Sequence, residues 1–342
     1  MAKHILEVED LRGYYRGVFG VVHAVDGVSF SLESGKIMGI AGESGGGKST
    51  LAQLVSGTPP PLLHHESGRI LVDGIDIYNI DPEELRTEVK CKRMSYVPQA
   101  SMESLNPVKR VRDFIFDVVG QRTGKRVASK ERKKEVLDMA ADHMKALGLE
   151  RTVLDRYPHE LSGGMKQRVV IAISTLWNPK LLIIDEPTSA LDVTSQKRMI
   201  KALLNLKRMG VIESMLYISH DLTSLRQLCD ECMVMYGGKI AEIGDMDQTI
   251  DAPLHPYSCL LTAAIASYDS KGKSACELKS IPGSPPDLRT PPTGCRFHPR
   301  CPSVMDICRK EEPQMAMVGD GTRGASCWLL ISKSGYENGG QA

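Results

Sequence analysis

Gly42-Glu43-Ser44-Gly45-Gly46-Gly47-Lys48-Ser49, followed by Thr50, is the stretch on which the reading of this 342-residue chain turns. It fits G-x-x-x-x-G-K-[ST], a loop that closes a strand, opens a helix and turns its backbone N–H groups onto phosphate oxygens. The flanks agree. Lys36-Ile37-Met38-Gly39-Ile40-Ala41 reads as a short buried strand, and residues 49–55 read as a helix stopped by Gly57. The glycines permit the sharp turn and the close approach of backbone to ligand. Lys48 is spaced to reach the β- and γ-phosphates of a nucleotide, and the Ser49 hydroxyl to hold Mg²⁺.

Upstream, residues 5–8, 21–25 and 28–32 alternate like antiparallel strands, with Asp26-Gly27 as a turn. Between them stand Tyr14 and Tyr15, either of which offers a flat ring to a nucleotide base, Tyr15 being preferred. Downstream, residues 68–74 form a strand, and residues 93–97 a second one that ends at Pro98-Gln99. A Gln at the carboxyl edge of a sheet lies where ligands bind in open α/β folds, and its amide can coordinate Mg²⁺ and orient water. From about residue 100 to 157 the pattern turns helical. Val136, Met139, Ala140, His143 and Leu147 share one face, with Gly148 as the stop and His143 as a packed core residue.

A second anion site follows. Leu161-Ser162-Gly163-Gly164-Met165-Lys166-Gln167-Arg168 opens a helix with a capping Ser and two small residues at its N-terminus. One nucleotide cannot easily occupy both loops of one subunit, so two subunits are expected to pair head to tail, each gripping the other's nucleotide. Leu181-Leu182-Ile183-Ile184 then reads as a fully buried parallel strand that delivers Asp185 and Glu186 at its end. Asp185 is expected to serve Mg²⁺ and Glu186 to polarise the attacking water. Residues 187–192 turn the chain back into a helix, and another buried strand, 214–219, ends at His220, whose imidazole can hydrogen-bond a γ-phosphate.

Bulk properties restrict the classes. The length exceeds one compact core, so a main domain with an appendage is expected. A formal net charge of +1 gives no reason to expect a nucleic-acid partner. The apolar runs fall far short of the roughly 20 residues of a membrane span, and the N-terminus lacks the apolar core of a signal peptide. These features point to the cytosol, where the nine cysteines read as ligands or core residues rather than disulfides. The basic run 122–134 reads as a solvated loop and helix start.

Beyond about residue 245 the composition shifts to Pro and Gly, as in a loop-rich appendage. Cys295, Cys301, Cys308 and Cys327 lie there, separated by 5, 6 and 18 residues. Four thiolates can hold Zn²⁺ or an iron–sulfur cluster, and the spacing lacks the paired C-x2-C of zinc knuckles. Cys91, Cys229, Cys232, Cys259 and Cys276 show no comparable order and read as small buried residues.

Taken together, Tyr15, residues 42–49, Gln99, residues 161–168, 183–186 and 189–192, and His220 resemble the ATP-binding cassette of ABC transporters, from residue 5 to about 245. The resemblance implies an α/β P-loop NTPase fold: a mixed, mainly parallel core sheet, an antiparallel β subdomain and a helical subdomain inserted at about 100–160. Residues 246–342 would form a small C-terminal domain. It implies Tyr15 for adenine, and Gly42, Ser44, Gly45, Gly46, Gly47, Lys48, Ser49 and Thr50 for the phosphates. Ser49, Gln99 and Asp185 would serve Mg²⁺, with Ser162, Gly163 and Gly164 acting across a dimer. Asp192 would make the cross-dimer contact, Glu186 act as catalytic base and His220 as switch.

Residues 98–107, 255–257 and 281–286 are similar to the subgroup serving dipeptide, oligopeptide and nickel importers. Cys295, Cys301, Cys308 and Cys327, with the residues around them, look like that subgroup's [4Fe–4S] tail. The resemblance implies ATP-driven import through two membrane permeases, fed by an extracytoplasmic solute-binding protein, with a second, homologous ATPase completing a heterodimer at the cytoplasmic membrane face. Peptides are the expected cargo, with oligosaccharides such as cello-oligosaccharides, or nickel, as alternatives. A soluble ABC ATPase acting on nucleic acid or ribosomes is the further alternative, disfavoured by the single cassette and the lack of coiled-coil arms.

Overall fold

Buried apolar runs of four or five residues set the parallel strands, and amphipathic stretches stopped by glycine set the helices. The structure, a computed structural model, describes residues 3–18, 20–189, 191–266 and 280–337. Its contacts divide into two units. No helix among the described residues is long and apolar enough to cross a membrane.

The first unit comprises residues 1–6, 32–35 and 71–216. Its strands Met94–Val97 and Leu181–Asp185 pair in parallel with Met94 opposite Leu181 and Val97 opposite Ile184, and Ser214–Ile218 flanks Leu181–Asp185 on the other side. All five residues of Leu181–Asp185 are buried, as a strand covered on both faces requires. Between the strands lies a helical region of Val111–Thr123, Lys130–Ala146 and Gly163–Ser174. His143 is a core residue, as the sequence predicts: its Nδ1 lies 3.2 Å from Thr175 Oγ1, and burial lowers its pKa. Asp73 anchors this unit from a buried position, bonding Lys180 at 2.7 Å, Lys3 at 2.9 Å and Arg93.

The second unit comprises residues 7–31, 36–70 and 217–342. Its inner strand Ile37–Ala41 pairs in parallel with Glu231–Tyr236, with Met38 opposite Glu231 and Ala41 opposite Val234. The order continues through Lys239–Asp245 and Arg323–Ala325 to Ala316–Val318, all antiparallel. The appendage therefore lends two short strands to the sheet. Most of the chain's other sheet also lies here, with Gly20–Glu33, His4–Gly17 and Leu63–Val72 in that order.

One expectation is corrected. The N-terminal segment forms two long strands rather than three short ones, because Asp26-Gly27 interrupts a strand without turning it. Gly27 takes φ +75°, and the Asp26 N–H bonds Gly238 O at 2.9 Å, so the left-handed glycine is a local irregularity within a continuing strand. Cys91, Cys229, Cys232, Cys295, Cys301, Cys308 and Cys327 are free, whereas Cys276 lies outside the described residues.

Candidate functional site

In the second unit the phosphate loop forms as its glycines dictate. Gly42, Gly45 and Gly47 have φ of +143°, +78° and +99°. A Cβ on Gly42 would lie 2.2 Å from Met235 O, and one on Gly47 2.3 Å from Ala24 O, so neither position admits a side chain. The helix Lys48–Val55 starts at Gly47, leaving the N–H groups of its first turn for an anion. Lys48 is buried, and its Nζ donates to Gly42 O at 2.8 Å and Glu43 O at 2.9 Å, an ammonium drawn across the loop. Ser44 and Gly45 are exposed, and Ser49 is partly exposed.

Of the two tyrosines, Tyr15 stands beside this helix. Its hydroxyl donates to Gln53 Oε1 at 3.1 Å and lies 3.4 Å from Thr50 Oγ1. Tyr14 is engaged elsewhere, donating to Asp26 Oδ1 at 2.8 Å. His220, in the same unit, is exposed just beyond the strand Ser214–Ile218, and Asp221 caps the helix Leu222–Leu228 after it.

Sequence reasoning missed how Glu43, an unspecified position of the loop motif, is held. Its N–H donates to Tyr257 Oη at 2.8 Å, and Arg300 grips its carboxylate, Nη1 to Oε2 at 2.6 Å and Nη2 to Oε1 at 3.2 Å. Tyr257 lies in the stretch 255–257 that resembles the importer subgroup and Arg300 precedes Cys301, but nothing in the sequence pairs either with Glu43.

In the first unit, Leu181–Asp185 ends with Asp185, 1% exposed, and Glu186, which takes the left-handed φ of +47°. A non-glycine residue there is uncommon, and such strain concentrates at functional sites. Ser189 Oγ donates to Glu186 O at 3.1 Å, and Gln99 Nε2 donates to Glu186 Oε2 at 3.3 Å. The structure thus brings together the amide and the carboxylate that the sequence nominates separately.

The helix Gly163–Ser174 is capped by Ser162, whose Oγ accepts from Met165 N at 3.3 Å. Ser162 and Gly163 are exposed. A Cβ on Gly163 would come no nearer than 4.0 Å to a neighbour, and one on Gly164 would sit 3.5 Å from Ser195 Cβ, which is ordinary contact. Neither glycine has positive φ. Nothing among the described residues demands them. Asp192 caps the helix Val193–Arg208 next to Ser195, whose hydroxyl donates to it at 2.6 Å and holds its carboxyl below the usual range. Ala190, in the segment 189–192, lies outside the described residues.

Cys295, Cys301, Cys308 and Cys327 line one small cavity with Phe297, Trp328 and Leu329. Burial pushes the Cys295 thiol up to about 11, aided by the three neighbouring thiols, and also raises Cys301 and Cys327. Among the described residues, however, no three His, Cys, Asp or Glu side chains form a group that could hold a metal ion. The expected metal centre therefore finds no support in the geometry. The four thiols share a cavity without forming such a group, and burial favours the neutral form of Cys295, Cys301 and Cys327.

Comparison with known proteins places these parts in a family. A family model described as "ABC transporter" matches residues 25–189, and one described as "Oligopeptide/dipeptide transporter, C-terminal region" matches residues 241–308. The chain is 39% identical to the dipeptide transport ATP-binding protein DppD of Caldanaerobacter subterraneus subsp. tengcongensis, over 98% of each chain. It is 38% identical to the oligopeptide transport ATP-binding protein OppD of Bacillus subtilis, over 95% of this chain and 89% of that one. Among solved structures, the dimeric cassette MJ0796 in a post-hydrolysis state bound to ADP and Pi shares its fold. The TM-score is 0.59 at 22% identity, over 70% of this chain and 98% of that one. A nucleotide-free ATP-binding cassette from an ABC transporter gives 0.55 at 26% identity, over 71% and 91%. The chain belongs to the ABC transporter ATP-binding proteins of the dipeptide and oligopeptide type.

Proposed function

We propose that the protein hydrolyses ATP to power import of dipeptides or oligopeptides, working at the cytoplasmic face of the membrane. Its partners would be two permease subunits, a solute-binding protein and a second, homologous ATPase. The observation that carries this reading is similarity along almost the whole chain, tail included, to proteins named for dipeptide and oligopeptide transport. No relative described above is named for oligosaccharides or nickel, so peptides stand first.

In this reading the loop 42–50 and Lys48 hold the phosphates and Tyr15 supports the base. Ser49, Gln99 and Asp185 would hold Mg²⁺, which neutralises phosphate charge when bound. Glu186, with Gln99 bonded to its carboxylate, would polarise the attacking water, and His220 would sense the γ-phosphate. Ser162, Gly163 and Gly164 would face the partner's nucleotide, with Asp192 at the same contact. The exposure of Ser162, Gly163 and Asp192, and the lack of a need for the two glycines among the described residues, support that assignment. Residues 1–245 would be the cassette and 246–342 the tail. A [4Fe–4S] cluster on Cys295, Cys301, Cys308 and Cys327 rests on the resemblance alone. It would make their thiols ligating thiolates, and iron-free, colourless protein after anaerobic purification would remove it.

The test is reconstitution with candidate permease and solute-binding subunits from the same organism. Peptides should stimulate hydrolysis. Stimulation only by cello-oligosaccharides or by Ni²⁺ would replace the cargo, and a Ser162→Arg variant that still associates and hydrolyses normally would remove the head-to-tail pairing.

A further inference from the structure

Glu43 brings a negative charge into a loop built to receive phosphate. In the second unit that charge is met from the tail. Arg300 is buried and uses both terminal nitrogens on the Glu43 carboxylate, at 2.6 and 3.2 Å. It is itself fixed by Pro282 O at 2.6 Å, Gly283 O at 3.3 Å and Tyr236 Oη at 3.2 Å. The planar guanidinium thus has one orientation open to it, the one that forks onto Glu43. The Glu43 backbone is held as well: its N–H by Tyr257 Oη, its carbonyl by Lys48 Nζ at 2.9 Å and by Gly46 N at 3.1 Å. Tyr257 is fixed in turn against Tyr236 and Phe297, with ring centroids 4.6 and 5.3 Å away.

We propose that Arg300 and Tyr257 are positioning residues for the nucleotide. Through them the C-terminal tail neutralises Glu43 and holds the phosphate loop in its receptive shape, so that ATP affinity depends on a segment more than 200 residues away in sequence. The proposal rests on the reading of residues 42–50 as the ATP site. Arg300→Met leaves the Glu43 carboxylate uncompensated beside the incoming phosphates. Tyr257→Phe releases the Glu43 N–H and leaves the charge pair intact.

The test measures ATP affinity and steady-state hydrolysis on the full-length chain for the wild type, Lys48→Ala, Arg300→Met, Arg300→Lys, Glu43→Gln, Tyr257→Phe and the double variant Glu43→Gln with Arg300→Met. Arg300→Met should weaken ATP binding about five- to tenfold with kcat nearly kept, and Arg300→Lys should recover part of the loss. The double variant should bind more tightly than Arg300→Met alone, because the unpaired charge is gone. Equal affinity in the wild type and Arg300→Met would overturn the proposal, as would additive losses in the double variant. A fall in melting temperature with unchanged affinity would make Arg300 structural only. Wild type that binds ATP no better than Lys48→Ala would overturn the ATP-site reading itself.

Discussion

Glu242 makes the sharpest claim about what holds the tail in place. It is 0% exposed in the strand Lys239–Asp245. Its carboxylate accepts from Leu254 N at 3.0 Å and His255 N at 2.9 Å, and meets Arg323 Nη2 at 3.3 Å. These contacts fix the approach to the helix Pro256–Ala266, and Arg323 belongs to the strand that pairs beside Glu242. Glu242→Leu keeps the bulk and deletes every acceptor. Each charge-assisted bond contributes roughly 1.5–3 kcal/mol, and leaving one member of a buried ion pair alone costs roughly 3–5 kcal/mol. Because the terms overlap, a net loss of about 4 kcal/mol is expected, a large part of a typical domain's 5–15 kcal/mol or so. Urea unfolding followed by Trp328 fluorescence in a Trp177→Phe background reads it, since Trp328 sits in the tail and donates to Glu311 O at 3.0 Å. Glu242→Gln, which keeps one acceptor oxygen, should fall between. A loss below about 1 kcal/mol for Glu242→Leu would refute the reasoning, because a buried acceptor of three donors cannot vanish so cheaply.

Gly42→Ala should abolish nucleotide binding and lower thermal stability, because its Cβ would meet Met235 O at 2.2 Å on backbone that cannot yield; calorimetric titration with ATP reads the first effect and a melting curve the second. Asp73 gives a pH signature. Burial acts to raise its pKa, but bonds to Lys180 and Lys3 prevail and hold it down at about 2. With a folded pKa below the unfolded value of roughly 3.9, its stabilisation is complete above about pH 5 and is lost as pH falls through 2, amounting to roughly 2.5 kcal/mol. Asp73→Asn should be less stable than wild type at pH 7, and the gap should narrow between pH 4 and pH 2; a gap constant across that window would contradict the assignment.

Much of this molecule could be read locally. The phosphate loop, the strand before it and the helix after it are coded within about 20 consecutive residues, so pattern alone locates them. The run 181–186 announces a buried strand ending in two carboxylates, and the structure puts it there. What escaped was set by distant partners. Gly27 carries the same left-handed preference in a turn as in an irregular strand, and only its neighbours across the sheet decide which. The left-handed φ of Glu186 has no sequence marker, since a Glu seldom adopts it. Arg300 and Glu43 lie 257 positions apart, so their pairing exists only in the fold.

The most direct test of the account is whether ATP holds two cassettes together until Glu186 allows its hydrolysis. Light scattering after gel filtration, run with Mg²⁺ and ATP on the protein alone and mixed with any homologous ATPase from the same organism, should show a lasting pair for Glu186→Gln with unhydrolysed ATP inside, and a transient one for the wild type. Single subunits at saturating ATP, or wild-type turnover by Glu186→Gln, would contradict it.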